Sequence, residues 1–422
     1  MVLSYGNTLF KKTRFRDGEK DYRRLVSDLI LKTYNVIGFD AINIGEYDLS
    51  LGVNYLKRWQ KRMSLPFISA NLKNKKGQSV FRPFRIMEID GFRVGVLGLM
   101  KEKIHLSRIP DGNHYKIEDP FETAKEEITR MKAKRVNFII LLTDMTTMGC
   151  KKIVSLHLPV DIIIGSNRYN RYALPRIFEQ RILLHLDRYG KHIGKLTLFC
   201  DKKGKGLWKP PTGEFSLHQS FHNAYVPIKK NFPQDEKIAQ WMEVYLEKIR
   251  ILKAQLAASH GEGEETGNAP PSGDHNKRYV GVKTCKKCHP KEFARWSETR
   301  HSRAYLSLIK KGSQYDEDCV GCHVVGFREK GGFKVISKRG MVPFVNVQCE
   351  ACHGPGSLHV SGGGDITRIQ KFVSRKTCLR CHTEEHSPDF IYSVYSFRLS
   401  CGNKTAKRNK VKNAKPLSLQ HK

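Results

Sequence analysis

Four apolar runs interrupt the polar background of the first half of the chain. They are V-I-G-F-D-A-I-N-I-G at 36–45, R-V-G-V-L-G-L-M at 93–100, V-N-F-I-I-L-L-T-D at 136–144 and V-D-I-I-I-G at 160–165. Apolar runs with Gly or Asp at their ends read as buried strands. Between them, Asp21–Thr33 and Pro120–Ala133 read as amphipathic helices, the second rich in Glu and Lys. Alternating strands and helices predict an α/β fold for residues 1–230. Ile182–Phe199 reads as two strands joined near Gly190, and Lys195–Leu198 alternates polar and apolar. Then the period changes. Ile238, Trp241, Met242, Tyr245, Leu246, Ile249 and Leu252 recur at i, i+3, i+4, and Asp235 is placed to cap them. An amphipathic helix over 231–259 is predicted.

Periodicity then lapses. Residues 260–276 hold G-E-G-E-E-T-G-N-A-P-P-S-G-D, a linker by composition. They set off a second domain at 277–395. After Phe397 come eight Lys/Arg and no acidic residue, so 396–422 reads as a solvated, disordered tail. A chain of 422 residues with 39% hydrophobic content has enough for real cores, and two or three domains are expected. Its longest apolar stretches, such as Phe138–Leu142, are too short to span a membrane. The 75 Lys+Arg against 41 Asp+Glu give a net charge of +34. Nucleic acid, an acidic protein or an acidic cofactor all fit such a charge.

The cysteines narrow this. Nine of the eleven lie between Cys285 and Cys401, and eight of those nine form four pairs of one shape. The pairs are C-K-K-C-H (Cys285, Cys288, His289), C-V-G-C-H (Cys319, Cys322, His323), C-E-A-C-H (Cys349, Cys352, His353) and C-L-R-C-H (Cys378, Cys381, His382). C-x-x-C-H is the attachment signature of haem c. The two thiols add to the two vinyl groups, and the adjacent His gives an imidazole nitrogen to the iron. A Cys₄ zinc site is the rival, but zinc does not require a His after every pair. Four haems on so short a segment must supply much of its core. The sixth iron position calls for further histidines. His301, in R-W-S-E-T-R-H-S-R-A-Y, and His359, six residues after His353 across Gly-Pro-Gly, lead the candidates, with His359 expected to cap a neighbouring haem. His386 and His275 are the weaker ones. An iron left without one has an open or non-His position for small-molecule chemistry. Cys200 reads as a core thiol; Cys150, Cys200 and Cys401 receive no role.

These motifs, with Y-V-G-V-K-T-C-K-K-C-H-P, W-S-E-T-R-H-S-R-A-Y and N-V-Q-C-E-A-C-H-G-P-G-S-L-H, resemble the tetrahaem cytochrome c-554 family. The resemblance covers Tyr279–Phe390. It implies a mainly helical module, electron transfer, sometimes one five-coordinate haem, and distal ligation by His301 and His359. Haems of about −1 net charge each lower the total only to about +30. The remaining basic surface is expected to steer acidic redox partners, and no nucleic acid is expected.

The first domain, over roughly residues 5–205, resembles the 5′-nucleotidase branch of the calcineurin-like metallophosphatases. The likeness is carried by V-I-G-F-D-A-I-N-I-G-E-Y-D, F-I-S-A-N-L, G-F-R-V-G-V-L-G-L, L-L-T-D and V-D-I-I-I-G-S-N-R-Y. That family holds two metals with Asp, Asn and His side chains. Here its G-N-H-E is Gly45, Glu46, Tyr47, Asp48. Its His after the L-T strand is Asp144, its G-H-x-H is Gly165–Tyr169, and Asn7 stands where it has the Asp of G-D. Every expected imidazole is missing, so a retained scaffold is expected, with residual phosphoesterase activity as an alternative. Glu46, Asp48 and Asp144 retain oxygens for a hard cation. In bacteria C-x-x-C-H is loaded outside the cytoplasmic membrane, which implies a periplasmic protein. Met1–Asp17 lacks an apolar signal region, and the family's opening D-x-H strand has no counterpart. The expectation is a start further upstream or a truncated gene product.

Overall fold

The computed structural model describes residues 1–16, 18–166, 175–186, 190, 192–199, 221–228, 231–262, 277–333, 344–383, 386–387 and 389–398. The chain forms two compact units, Met1–Leu252 and Lys253–Lys422. The first contains β1 (Leu3–Ser4), α1 (Glu19–Ile37), β2 (Ala41–Asn43), α2 (Val53–Met63), β3 (Phe67–Ile68) and β4 (Leu72–Asn74). It continues with β5 (Phe84–Ile89), β6 (Phe92–Leu99), β7 (Tyr115–Ile117), α3 (Pro120–Ala133), β8 (Phe138–Thr143) and α4 (Thr147–Ser155). Next come β9 (Ile162–Ser166), β10 (Arg176–Phe178), β11 (Arg181–Leu186), β12 (His192–Leu198), β13 (Phe221–Pro227) and α5 (Glu236–Glu262), inside which the units divide.

The main sheet has the order β10-β11-β9-β8-β6-β5, with four parallel inner strands and antiparallel edges. All six residues of β8 are buried, and they alternate between two cores. Ile139 and Leu141 pack with Ile128 and Met131 of α3 and with Cys150 and Ile153 of α4. Phe138, Ile140 and Leu142 pack on the other face with Val96, Ile162, Ile182 and Ile68. Burial on both faces is why the strand reads as a continuous apolar run. A second, parallel sheet β1-β2-β3 brings the chain's start beside the loop after β2. The strand ends matter for the site: β1, β2, β6 and β8 each run directly into it.

Helix α3 has the predicted bounds. The Asp119 carboxylate accepts from the Phe121 and Glu122 amides at 2.8 and 2.9 Å, and Pro120 takes the first turn. Asp235 likewise accepts from Ile238 N–H at 2.9 Å and starts α5. One expectation changes. Val36 and Ile37 belong to the last turn of α1, not to a strand. Gly38 closes that helix in the left-handed region (φ 74°), its N–H on the Tyr34 carbonyl, so the strand shrinks to β2. The two strands expected around Gly190 are present, in different sheets: β11 joins the main sheet and β12 pairs with β13.

The second unit contains α6 (Val282–Cys288), α7 (Pro290–Ser297), α8 (Ala304–Ile309), α9 (Glu317–His323), α10 (Cys349–His353), α11 (Ser357–Ser361), α12 (Arg375–Leu379) and α13 (Tyr392–Arg398). Its largest buried cluster is Tyr305, Leu308, Val320, Val324 and Phe333. Apolar side chains remain uncovered around it, Phe372 at 79% exposure and Ile366 and Ile391 among them. Helices this short are not stable on their own. No helix among the described residues is long and apolar enough to cross a membrane.

Candidate functional site

Each C-x-x-C-H sits on or at the end of a short helix. His289 follows α6, His323 closes α9, His353 closes α10, and Cys381 and His382 follow α12. Thiols of different motifs meet: Cys285 hydrogen-bonds with Cys349, and Cys322 with Cys381. The Cys381 contact holds the Cys322 thiol down to about 7 and pushes Cys381 up. Cys352 lies close enough to add a charge effect on Cys381.

The imidazoles are paired. His289 and His359 rings lie 6.2 Å apart between centroids, 22° from parallel; His301 and His382 lie 6.0 Å apart at 63°. An iron between two imidazole nitrogens, about 2 Å from each, puts the ring centres about 6.3 Å apart. Each ring turns freely about that axis, so either angle is compatible. Hydrogen bonds at Nδ1 orient several of these rings. Nδ1 of His323 donates to the Ala304 carbonyl at 2.7 Å, that of His353 to Gln370 at 2.7 Å, and that of His359 to Asp365 at 2.9 Å. His382 Nδ1 bonds the Ser387 hydroxyl at 2.9 Å. A metal-bound His normally spends its other nitrogen in this way, leaving Nε2 for the metal. Burial lowers the pKa of His301, with help from His382 and His323, and burial lowers that of His382. Both changes favour the neutral ring that ligation needs. The uncovered apolar side chains of this unit also suit a porphyrin's faces. The residues present therefore fit haem.

Among the described residues no second imidazole stacks on His323 or His353. His386 lies on the turn after the fourth motif, its N–H on the Thr383 carbonyl. His275, Cys200 and Cys401 lie outside the described residues. Cys150 is buried in the first unit, where burial pushes its thiol up to about 12.

Glu350 and Lys101 escaped sequence reasoning. Glu350, inside the third motif, is 3% exposed. Its carboxylate accepts from the N–H groups of Val280 (2.9 Å), Gly281 (2.7 Å) and Gly356 (2.7 Å). Val280 and Gly281 lead into the first motif, and Gly356 leads into α11, which carries His359. Glu350 thus ties together the segments that bear the His289–His359 pair. Gln348 adds a bond from Val282 N–H at 2.8 Å, and Trp296 Nε1 donates to the Val347 carbonyl at 2.8 Å beside His301. The hint in the sequence was an acidic residue within a strongly basic chain.

In the first unit the loops after β1, β2, β6 and β8 bring Asn7, Glu46, Asp48, Lys101 and Asp144 together. Asp48 accepts from the N–H groups of Asn7, Thr8, Leu9 and Gly45 at 2.7–3.0 Å. Asp144 accepts from Glu46 N–H (3.0 Å), Lys101 N–H (2.7 Å) and Asn7 Nδ2 (3.3 Å). Lys101 Nζ lies 2.5 Å from a Glu46 carboxylate oxygen. Burial works against the Lys101 ammonium, but Glu46 and Asp144 outweigh it and hold it above the usual lysine range. A side chain at Gly45 would strike Asn7 Oδ1 at 2.4 Å, so only glycine allows this approach. Among the described residues no three His, Cys, Asp or Glu converge to hold a metal ion. Asn167, Arg168 and Tyr169 lie outside the described residues. These donors do not fit a two-metal centre.

Comparison with known proteins matches this division. Residues 284–354 match the family of cytochrome c554 and c-prime. The match takes in three attachment motifs and His301, and stops before His359 and the fourth motif. Within the cytochrome c554 region, cytochrome c-554 of Nitrosomonas europaea is 39% identical over 93 aligned positions, 18% of this chain and 39% of that protein. The N-terminal region resembles 5′-nucleotidases. A probable 5′-nucleotidase of Treponema pallidum is 25% identical over 224 positions, 48% of this chain and 38% of that protein. The chain thus spans under two fifths of each relative's length. A calcineurin-like phosphoesterase of Bacillus subtilis aligns at 18% identity and TM-score 0.48, covering 60% of this chain and 85% of that one.

Proposed function

We propose that the C-terminal region is an extracytoplasmic tetrahaem electron relay and that the N-terminal domain carries it without hydrolysing phosphoesters. The observation that carries this reading is the pair of imidazole couples at iron-sandwiching distance. The thiols of Cys285, Cys288, Cys319, Cys322, Cys349, Cys352, Cys378 and Cys381 bind haem covalently, and His289, His323, His353 and His382 are proximal ligands. His359 is the distal ligand opposite His289, and His301 the one opposite His382. Haem supplies reversible one-electron storage at each iron. The cross-motif thiol contacts support edge-to-edge neighbours in the order first, third, fourth, second motif. Cytochromes c and 5′-nucleotidases typically work outside the cytoplasm, which supports that compartment. The charge of +34 favours an acidic redox partner.

A second reading has one observation in its favour: no imidazole stacks on His323 or His353 among the described residues. An open iron at either motif suits reduction of a small nitrogen or sulfur compound. Pyridine haemochrome with intact mass tests the first reading, through four haems and a gain of about 2.5 kDa. A haem-free, zinc-loaded protein refutes it. Electron paramagnetic resonance separates the two, since four low-spin irons exclude the reductase.

A further inference from the structure

We propose that the ammonium of Lys101 stands where a metallophosphatase would hold its metals, pairing with Glu46 so that the first unit takes up no divalent cation. The inference deepens the reading of that unit as catalytically silent and names its physical cause. Asn7, Glu46 and Asp144 occupy three of the resembled family's ligand positions, and they do converge: Asn7 and the Glu46 amide both donate to Asp144. What they converge on is a protein cation. Lys101 follows β6 by two residues, places its own N–H on Asp144 and its Nζ on Glu46. Its side chain is 34% exposed against 11% for Glu46.

A divalent ion would need several free oxygen ligands. Both oxygens of Asp144 and both of Asp48 already accept N–H groups. Among the described residues, the carboxylate oxygens of the cluster without a backbone N–H on them are those of Glu46, and one of these carries Lys101. A metal would have to displace the ammonium and break the hydrogen bonds from backbone N–H groups that anchor the Asn7–Leu9 segment. The Lys101 ammonium balances the Glu46 carboxylate without a metal.

The test uses the full haem-loaded chain stripped with chelator, titrated with Mn²⁺ by calorimetry and thermal unfolding, and assayed against a nucleotide. Wild type is expected to show neither binding heat nor a shift in Tm. Lys101→Met is expected to unfold at lower temperature, because Glu46 loses its counter-ion, and Mn²⁺ is expected to restore only part of the loss, because the oxygens of Asp48 and Asp144 stay on their N–H groups. If Lys101→Met does not fold, Lys101→Arg keeps the charge and is expected to behave as wild type; equal failure of both overturns the assignment. So does Mn²⁺ binding to wild type that Glu46→Gln abolishes, or a Lys101→Met protein with unchanged Tm and no response to the ion. Binding without hydrolysis overturns this inference alone. Metal-dependent hydrolysis overturns the silent-domain reading as well.

Discussion

Replacing Glu350 with Ala removes the acceptor for three backbone N–H groups, those of Val280, Gly281 and Gly356. A buried donor left without a partner costs about 1–3 kcal/mol. Water entering the small cavity recovers part of this, so the expected loss is about 3–5 kcal/mol for the cytochrome unit. Whole domains are stable by only about 5–15 kcal/mol, so the change consumes a large share. Glu350→Gln keeps the shape and one acceptor oxygen but turns an NH₂ toward an N–H group, at about 1–2 kcal/mol. The assay is denaturant unfolding of the haem-loaded protein, followed in the Soret band and by circular dichroism. Because Gly356 leads into the helix of His359, Glu350→Ala is also expected to raise the high-spin fraction at one haem before global unfolding. Exposed Glu298 provides the control, with Glu298→Ala within about 0.5 kcal/mol of wild type. A Glu350→Ala protein equal to wild type in midpoint and spin state refutes the tethering role.

Other outcomes follow from the same contacts. His359→Ala and His301→Ala should each turn one haem from low-spin to high-spin in the optical and paramagnetic resonance spectra, and the double variant two; unchanged spectra exclude them as axial ligands. Asp48→Ala strands four N–H groups and should lower the stability of the first unit by about 3–5 kcal/mol, read by urea unfolding; a loss under about 1 kcal/mol contradicts the network. His185 is buried and its pKa lies below the ordinary 6.5, chiefly through desolvation. The unfolded chain therefore binds the proton more readily, so this contribution to stability is complete above pH 6.5 and is lost as pH falls toward the native value. His185→Gln should flatten that slope; a slope that survives assigns it elsewhere.

Legibility followed the range of the interaction. The attachment motifs, the bounds of α3 and the capping of α5 were readable because their partners lie within a few residues: Asp119 caps residues two and three positions ahead, and paired thiols stand three apart. The apolar runs marked β6, β8 and β9 because strands buried on both faces need no polar alternation. The end of α1 misled, since an apolar Val36–Ile37 pair fits a strand as well as a last helical turn, and Gly38 decided between them through its backbone conformation.

What tertiary structure alone decided was which distant groups meet. Composition and spacing supplied four C-x-x-C-H motifs and four candidate histidines, but not the proximity of His359 to His289 or of His301 to His382. Those pairs join residues far apart in the chain, and no local pattern encodes such distances. Lys101 and Glu350 were missed for the same reason. A charged side chain reads as surface until folding removes it from water, and then its partners are dictated by need: a buried carboxylate must find N–H groups or a cation. Glu350 found three amides from two other segments, and Glu46 found an ammonium.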